Sequence, residues 1–376
     1  MATGRQPLTL GTVPPAPITL DAIRAAPKVV LHDHLDGGLR PATILELADE
    51  IGWTPRLPST DLDELQRWFT AGAESNDLLQ YLAEFEHTLA VMQSVAHVER
   101  VAYESVLDLA RDGVVYGEVR FAPELHAMPF EATVEAVAAG FRRAEADAST
   151  EGHRIEANII ICAMRTEQRS LEVAQFVDRA RDVEPKVVAF DLAGAETGWP
   201  PSLHAEALAF ARERQLNITV HASEPPDLEL ISDALAHGAH RIGHGVRLNR
   251  DTSVDADGQL VLGRLAQYVL DHQIHLEMSP TSNIQVGAVA SFADHPVGAF
   301  LRAGLNVSVN TDNRLMSQVQ TSTEMFAVAQ AAQLSWEEVG RLVEHGIASA
   351  FAPWAVRRRL LEDVVRPAYA ALAAVG

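Results

Sequence analysis

Short apolar segments alternate with amphipathic segments along the chain from Gly113 onward. Apolar runs rich in β-branched residues are typical of strands buried on both faces, and apolar residues three and four positions apart are typical of helices. An earlier apolar run ends in His32-Asp33-His34. With that run the pattern predicts eight strands, of which the later seven span residues 114–121, 155–163, 187–192, 217–221, 241–244, 274–278 and 305–310.

Helical segments follow most of these strands. The periodicity predicts them at residues 134–146, 171–180, 203–214, 228–236, 260–270 and 296–303, and it predicts further helices at the C-terminus. Regular alternation of strand and helix indicates a parallel sheet, and eight such units indicate a closed (β/α)8 TIM barrel. An open, doubly wound sheet is the structural alternative. Its dinucleotide-binding form has no support, because no Gly-x-Gly-x-x-Gly motif follows a predicted strand.

The N-terminal third departs from this alternation. Residues 1–17 contain four prolines and are expected to form a flexible tail, followed by a single barrel domain over residues 18–376. A short helix is predicted at residues 20–26. The stretch 37–112 has helical periodicity and no strand signal, so we expect a helical insertion after the first strand. Within it, an apolar stripe could line a lid or form an ordinary helix core face, and it consists of Leu65, Trp68 and Phe69.

Composition narrows the functional classes. The 376-residue chain has 51 acidic and 30 basic residues, which gives a formal net charge of −21. This balance argues against binding to nucleic acid or to an anionic membrane surface, because both select basic patches. The single cysteine, Cys162, excludes an intrachain disulfide, and its apolar neighbours favour buried packing. No apolar run reaches transmembrane length and no signal peptide is recognised, so we expect a cytoplasmic protein.

Candidate metal ligands lie at the predicted strand ends. Side chains two positions apart on a strand point to the same face, so His32 and His34 would project together. His221 ends the fifth strand, and Asp312 follows the eighth. Active-site residues of a TIM barrel lie at the C-terminal ends of its strands, so these side chains can converge. Three imidazoles and one carboxylate suit catalytic zinc, and iron, cobalt or manganese would also fit.

Each candidate also has an ordinary interpretation. The His-x-His pair could be solvated residues at the end of an apolar strand, and His221 could be a core histidine. Asp312 could be a helix N-cap, and His244, at the end of the sixth strand, could be a turn residue. Taken together, these interpretations require several coincidences at one end of one barrel. We therefore favour the metal site.

The positions of the lysines indicate how many metal ions the site would hold. A bridged two-metal site usually needs a further anionic ligand, such as a carboxylated lysine at the end of the fourth strand. Lys28 and Lys186 both precede their strands, at the opposite end of the barrel. One metal ion per chain is therefore expected. Glu224 and His244 then remain free for proton transfer.

Six motifs, in the right order, resemble those of the adenosine deaminase family, which belongs to the metal-dependent amidohydrolase barrels. They are PKVVLHDHLDG at 27–37, DLAG at 191–194, HASE at 221–224, GHG at 243–245, SPTSN at 279–283 and NTD at 310–312. The resemblance covers nearly the whole chain after the tail, including the helical insertion. A His-x-His motif alone would be a weak signal, whereas this ordered set is a strong one.

The resemblance implies a role for each matching residue. Glu224 would donate a proton to purine N1, and His244 would orient and help to deprotonate a zinc-bound water. The implied ligands of one zinc ion are His32, His34, His221 and Asp312. The implied substrate contacts are His34, Asp36 at a ribose hydroxyl, the Gly194 backbone at purine N3 and Asn313 at purine N7. A proton donor to N1 needs a raised pKa, so we expect Glu224 to lie in a dry pocket.

Two positions depart from the family pattern. Ser223 stands where the family commonly has glycine before the acid, and Asn313 stands where it commonly has aspartate. Purine N7 is an acceptor, so an aspartate must be protonated to donate to it, whereas an asparagine amide donates directly. The replacement therefore preserves the contact, although substrate preference need not be inherited unchanged.

The expected activity is zinc-dependent hydrolysis of adenosine and 2′-deoxyadenosine to inosine or its deoxy form and ammonia. The alternatives are deamination of adenine, deamination of another adenine nucleoside such as aminodeoxyfutalosine, and a barrel without catalysis that acts as a binding protein. The expected partner is a small purine nucleoside, with neither nucleic acid nor membrane. The sequence leaves the oligomeric state open.

Overall fold

The computed structural model describes residues 17–75, 78–224 and 227–374. The tail predicted at residues 1–17 lies outside this part of the chain except for Pro17. None of the helices among the described residues is both long and apolar enough to cross a bilayer.

Eight of the ten described strands form one parallel barrel sheet, in which each strand pairs with the next along the chain. The strands are β1 (Lys28–His34), β2 (Val114–Phe121), β3 (Glu156–Met164), β4 (Val187–Ala193), β5 (Ile218–Ala222), β6 (Arg241–His244), β7 (Thr252–Val254), β8 (Leu260–Leu262), β9 (His275–Met278) and β10 (Val307–Val309). The barrel omits β7 and β8, which form a separate antiparallel hairpin. The predicted TIM barrel is therefore confirmed, with strand bounds that agree to within two residues.

The barrel closes between β1 and the residues after β10. The His34 N–H donates to the Asp312 carbonyl oxygen at 2.8 Å, and the Asp312 N–H donates to the His32 carbonyl oxygen at 2.9 Å. This main-chain pairing places Asp312 beside the His-x-His motif, although the two are almost 280 positions apart. The seam of the barrel and the candidate metal site thus share the same residues.

Helices surround the barrel and continue beyond it. They are α1 (Leu20–Ala25), α2 (Pro41–Glu50), α3 (Leu62–Ala73), α4 (Leu78–Ala90), α5 (Val95–Arg111), α6 (Phe130–Thr150), α7 (Ser170–Val183), α8 (Ala205–Glu213), α9 (Glu229–Ala236), α10 (Arg264–Asp271), α11 (Pro280–Gln285), α12 (Val297–Arg302), α13 (Arg314–Ser317), α14 (Thr321–Ala331), α15 (Trp336–Ser349), α16 (Trp354–Arg359) and α17 (Arg366–Ala374). A π-helical segment, Leu360–Val365, joins α16 to α17. The predicted C-terminal helices are confirmed.

The helix predicted at residues 260–270 is wrong at its start. Residues 260–262 form β8, and α10 begins only at Arg264. The Asp255 carboxylate accepts the N–H groups of Asp257 and Gln259, which closes a tight turn between β7 and β8. Because that turn pairs the two segments, the short apolar run is held as a strand. The short helix α11 was not expected from the sequence.

The insertion between β1 and β2 is helical, as predicted. It consists of α2 to α5, and its described residues contain no strand. Leu65 and Phe69 of α3 are fully buried, which confirms the core-face interpretation of that stripe. Trp68 is half-buried and packs edge-on against the rings of Phe69 and His87. The part of the insertion that lies at the mouth of the barrel is α4, not the stripe on α3.

Charged side chains fill part of the barrel interior. Arg120 contacts Asp191 at 2.9 Å and Glu277 at 2.6 Å, and Arg241 contacts Glu277 at 2.6 Å and Glu118 at 2.7 Å. All five side chains are almost completely buried. A buried charge is tolerated only when it is paired and hydrogen-bonded, so each member depends on its neighbours.

Arg241→Met should therefore lower the free energy of unfolding strongly, because it leaves the Glu118 and Glu277 carboxylates with one positive partner fewer. We expect a loss of about 3–5 kcal/mol in urea denaturation. The control Arg24→Met removes an exposed pair with Asp21 and should change stability by less than about 1 kcal/mol. Equal effects of the two substitutions would contradict the importance of the buried pairs.

Candidate active site

A cavity of about 390 Å³ opens at the C-terminal ends of the strands. Its wall combines all the predicted substrate residues with side chains from the helical insertion. The predicted members are His34, Asp36, Gly194, His221, Glu224, Asp312 and Asn313. Those that sequence reasoning did not place there are Phe85, Glu86, Leu89, Ala122, Leu125, Cys162, Met164, Ala193 and Ala195.

Four candidate ligands meet at the floor of this cavity. The Nε2 atoms of His32 and His34 each lie 3.4 Å from Asp312 Oδ1, and the Nε2 atoms of His34 and His221 are 3.1 Å apart. Donor atoms about 2.0–2.1 Å from a tetrahedral ion lie about 3.3 Å from one another. These three distances match the spacing of ligand atoms around one cation.

The hydrogen bonds of His32 also fit a cation. Its Nε2 atom is buried and has no hydrogen-bond partner among the described residues. Its Nδ1 atom lies 2.9 Å from Glu277 Oε2, in the barrel interior. An ionised carboxylate only accepts, so Nδ1 carries the proton and Nε2 keeps its lone pair for a ligand. The pairing therefore leaves Nε2 aimed at the other three ligands.

His221 is held in the same way. Its Nδ1 atom lies 3.1 and 3.2 Å from the two Asp191 oxygens. Burial alone would raise the pKa of Asp191, but His221 and the Arg120 guanidinium hold that pKa below its ordinary value. The same guanidinium contacts Glu277, so one arginine orients both carboxylates behind two ligands.

Sequence reasoning missed Glu277 and Arg120 and gave Asp191 no role. The available signal was a charged residue inside an apolar strand, as in Val119-Arg120-Phe121. Such a residue is buried only with partners, so it indicates a network. Cys162 is buried, as predicted, and its thiol contacts Asp191 at 3.3 Å while lining the cavity. The prediction that Cys162 is buried is therefore confirmed, and the residue also forms part of the cavity wall.

Glu224 and His244 lie beside the ligand cluster. His244 Nε2 is 3.0 Å from Glu224 Oε1. Burial would raise the pKa of Glu224, but the facing imidazole holds it below its ordinary value. Burial alone would lower the pKa of His244, but the Glu224 carboxylate outweighs burial and raises that pKa to about 9. The expectation of a raised pKa for Glu224 is therefore wrong for the folded site, because the His244 ring lies beside the carboxylate.

Three residues of the site adopt left-handed backbone conformations. The φ angles are +89° at Ser223, +61° at His244 and +58° at Asp312. Residues other than glycine seldom adopt such angles, which cost of order 1–3 kcal/mol and cluster at functional sites. The family commonly has glycine at the position of Ser223. A serine there keeps the same turn, since the Glu196 carboxylate accepts its N–H at 2.8 Å.

The cavity wall carries the predicted substrate contacts. Gly194 has φ +94°, and a Cβ added there would lie 3.0 Å from the Met164 terminal methyl group, so glycine keeps this part of the wall open. Asp36 is buried, and burial raises its pKa to about 6. Its Oδ1 atom has no hydrogen-bond partner among the described residues. Asn313 packs closely against Gly37, where a Cβ would lie 1.9 Å from its Oδ1.

Comparisons with known proteins identify the family of this chain. The family model for adenosine deaminase matches residues 27–367. An adenosine deaminase of Mycobacterium sp. strain KMS is 47% identical over 361 residues, which is 95% of this chain and 99% of the relative.

Solved structures show the same fold. An adenine deaminase from Arthrobacter aurescens superposes with a TM-score of 0.76 at 28% identity, over 90% of this chain and 98% of its own. An N6-mAMP deaminase from Arabidopsis gives the same TM-score and coverage at 25% identity. The family match covers most of the chain, and the relative is matched over almost its whole length. The chain belongs to the adenosine deaminase family and is a hydrolytic deaminase.

Proposed function

We propose that this enzyme converts adenosine and 2′-deoxyadenosine to the corresponding inosines and ammonia, with one zinc ion per chain. The observation that carries the proposal is the convergence of three imidazoles and a carboxylate beside Glu224 in one cavity. The family and its relatives supply the reaction class. The cavity supplies the arguments about the substrate.

His32, His34, His221 and Asp312 would hold the ion. Neutral imidazoles and a carboxylate are the donors that catalytic zinc selects in proteins. A bound divalent cation lowers the pKa of its water to about 7 and so supplies hydroxide near neutral pH. The buried carboxylates behind His32 and His221 accept the Nδ1 proton of each ring, which orients the ring and leaves Nε2 free for the ion.

Glu224 would move the proton. Because its pKa is held low, the carboxylate is ionised before reaction and can accept a proton from the attacking water. It would pass that proton to purine N1 while the C6–O bond forms. The proton of the new C6 hydroxyl would then pass to the amino nitrogen, the C6–N bond would break, and ammonia would leave a carbonyl group at C6. Glu224 is therefore the group that links attack at C6 to protonation at N1.

The wall residues favour a nucleoside over a free base. Asp36 Oδ1, buried without a protein donor among the described residues, can accept a hydroxyl of the ribose. Adenine would leave that carboxylate unsatisfied. Gly194 would approach purine N3, and the Asn313 amide would donate to N7.

The charge of the wall favours a nucleoside over a nucleotide. Four carboxylates line the described cavity, and no lysine or arginine lines it; the four are Asp36, Glu86, Glu224 and Asp312. A 5′-phosphate would add negative charge beside these groups without a cationic partner. The proposed substrate is therefore uncharged at the 5′ position.

A substrate panel tests the proposal. With zinc bound, ammonia release should be fast for adenosine and 2′-deoxyadenosine and at least about 100-fold slower, in kcat/KM, for adenine and AMP, since an unsatisfied buried carboxylate or an unpaired phosphate costs about 3 kcal/mol. Aminodeoxyfutalosine is assayed beside them, and faster turnover of that nucleoside than of adenosine would support it as the substrate. Dialysis against a chelator should abolish turnover, and zinc should restore it. Preference for adenine would overturn the substrate assignment, and metal binding without any turnover would favour the binding-protein alternative.

Glu224→Gln should retain one zinc and bind inosine normally, because the amide keeps the shape of the side chain. Its kcat for adenosine should fall by about 10²–10⁴-fold, since the amide can neither accept nor deliver the proton. Stopped assays of inosine formation and metal analysis of the same sample measure both properties. A nearly normal kcat would contradict the role of Glu224.

7-Deazaadenosine tests the contact of Asn313. It has a C–H group in place of N7, so the amide loses its acceptor and kcat/KM should fall by about 10-fold or more relative to adenosine. Asn313→Ala should lower turnover of adenosine and leave turnover of 7-deazaadenosine nearly unchanged. Equal turnover of the two nucleosides by the wild-type enzyme would exclude the contact.

A further inference from the structure

A buried chain of hydrogen bonds ends at His244, and no role above uses it. It begins at the Val297 N–H, which donates to His295 Nδ1 at 3.3 Å. His295 Nε2 lies 3.1 Å from Asn283 Oδ1, and Asn283 Nδ2 lies 3.0 Å from His244 Nδ1. The side chains of His295, Asn283 and His244 are all buried.

The direction of every bond in this chain follows from its first donor. A backbone N–H can only donate, so His295 Nδ1 must accept and the His295 proton must sit on Nε2. That proton faces Asn283 Oδ1, which turns the amide nitrogen toward His244. Burial lowers the pKa of His295 to about 3, so the ring stays neutral and the chain keeps this polarity near neutral pH.

The amide then fixes His244. Its Nδ1 atom faces an N–H donor and must accept, so the single proton of the neutral ring sits on Nε2. A second proton on Nδ1 would point at the amide hydrogens across 3.0 Å. The Asn283 amide therefore favours the neutral ring, whereas the Glu224 carboxylate favours the charged one. A divalent cation held by the neighbouring Asp312 would add positive charge beside His244 and so also favour the neutral ring, which is why its protonation is tested on zinc-loaded enzyme.

The Nε2 proton has no aligned acceptor among the described residues. Nε2 lies 3.0 Å from Glu224 Oε1, but the N–H bond does not point at that oxygen. His244 and Glu224 form a group with Asp312 in which the potential ligand atoms lie within 4.8 Å of one another. A buried N–H directed into this space lacks only the oxygen atom that the reaction would place there.

We propose that Asn283 and His295 are positioning residues that hold His244 as an Nε2–H donor toward the attacking oxygen. This inference rests on the proposed deamination and changes the expected role of His244 from base to hydrogen-bond donor. A fixed donor stabilises negative charge that develops on the oxygen during attack. The proton that leaves the water then goes to Glu224, which is the only other group of the pair able to accept it.

Asn283→Asp provides the sharpest test, because it replaces the N–H donor by an acceptor of the same shape. We expect the His244 proton to occupy Nδ1 in this variant, so that Nε2 no longer donates in the neutral ring. The kcat for adenosine should fall by about 10²-fold, as when one oxyanion donor is lost, while KM and the zinc content stay unchanged. The adjacent Ser282→Ala, whose side chain is buried in the same helix, is the control for general damage and should retain both kcat and tautomer.

The tautomer is measured directly on zinc-loaded enzyme labelled with ¹⁵N-histidine, by long-range ¹H–¹⁵N correlation. The His244 signals are assigned by their loss in His244→Gln. The wild-type spectrum should show Nε2 protonated and Nδ1 unprotonated, and Asn283→Asp should reverse this pattern. His295→Phe, which frees the Asn283 amide to turn, should give a mixture of both tautomers and a smaller loss of kcat.

Two results would overturn the inference. One is a wild-type His244 with its proton on Nδ1. The other is a His295→Phe or Asn283→Asp enzyme with the wild-type tautomer and kcat. Because the spectrum is recorded without substrate, it stands apart from the proposed reaction. A wild-type enzyme that fails to deaminate adenosine but shows the Nε2 tautomer would refute the proposed function and leave the assignment of the proton intact.

Discussion

The Arg120 guanidinium between Asp191 and Glu277 is the interaction on which the candidate site depends. Each carboxylate holds the Nδ1 proton of one ligand histidine, so a single buried cation fixes two imidazoles at once. Buried ion pairs add little stability compared with apolar packing, but they leave few alternative arrangements. Here that restriction keeps two nitrogen lone pairs directed at a common point.

The same principle operates on the opposite side of the cavity with neutral groups. A backbone N–H sets the polarity of His295, and the polarity passes through Asn283 to His244. Two of the three ligand histidines, His32 and His221, are thus backed by carboxylates, whereas the non-ligand histidine is backed by an amide. Carboxylates free Nε2 for a cation, and the amide keeps a proton on Nε2. The contrast gives four neighbouring imidazoles two different tasks.

Backbone strain is concentrated at the same residues. Ser223, His244 and Asp312 are non-glycine residues with positive φ, and they adjoin or belong to the site. The surrounding hydrogen bonds maintain these conformations, including the Glu196 carboxylate at Ser223 and the seam between β1 and Asp312. The surrounding fold therefore offsets the free-energy cost of these conformations, which orient the side chains of the site.

The sequence alone determined the elements that depend on local pattern. Apolar runs and helical periodicity are short-range properties, so they indicated the eight barrel strands, the helical insertion and the strand ends that carry His32, His34, His221 and Asp312. Since all C-terminal strand ends of such a barrel lie on one face, convergence of these ligands could also be expected. Local pattern failed at residues 260–262, where pairing with a neighbouring strand overrode it.

Only the tertiary structure decided the partners of the site residues. The roles of Glu277, Arg120, Asn283 and His295 depend on contacts between segments far apart along the chain, and no periodicity records them. The lowered pKa of Glu224 likewise arises from His244 on another strand. A sequence pattern shows which side chains share a face, but protonation and hydrogen-bond direction depend on the atoms opposite them, which are set only when the barrel closes.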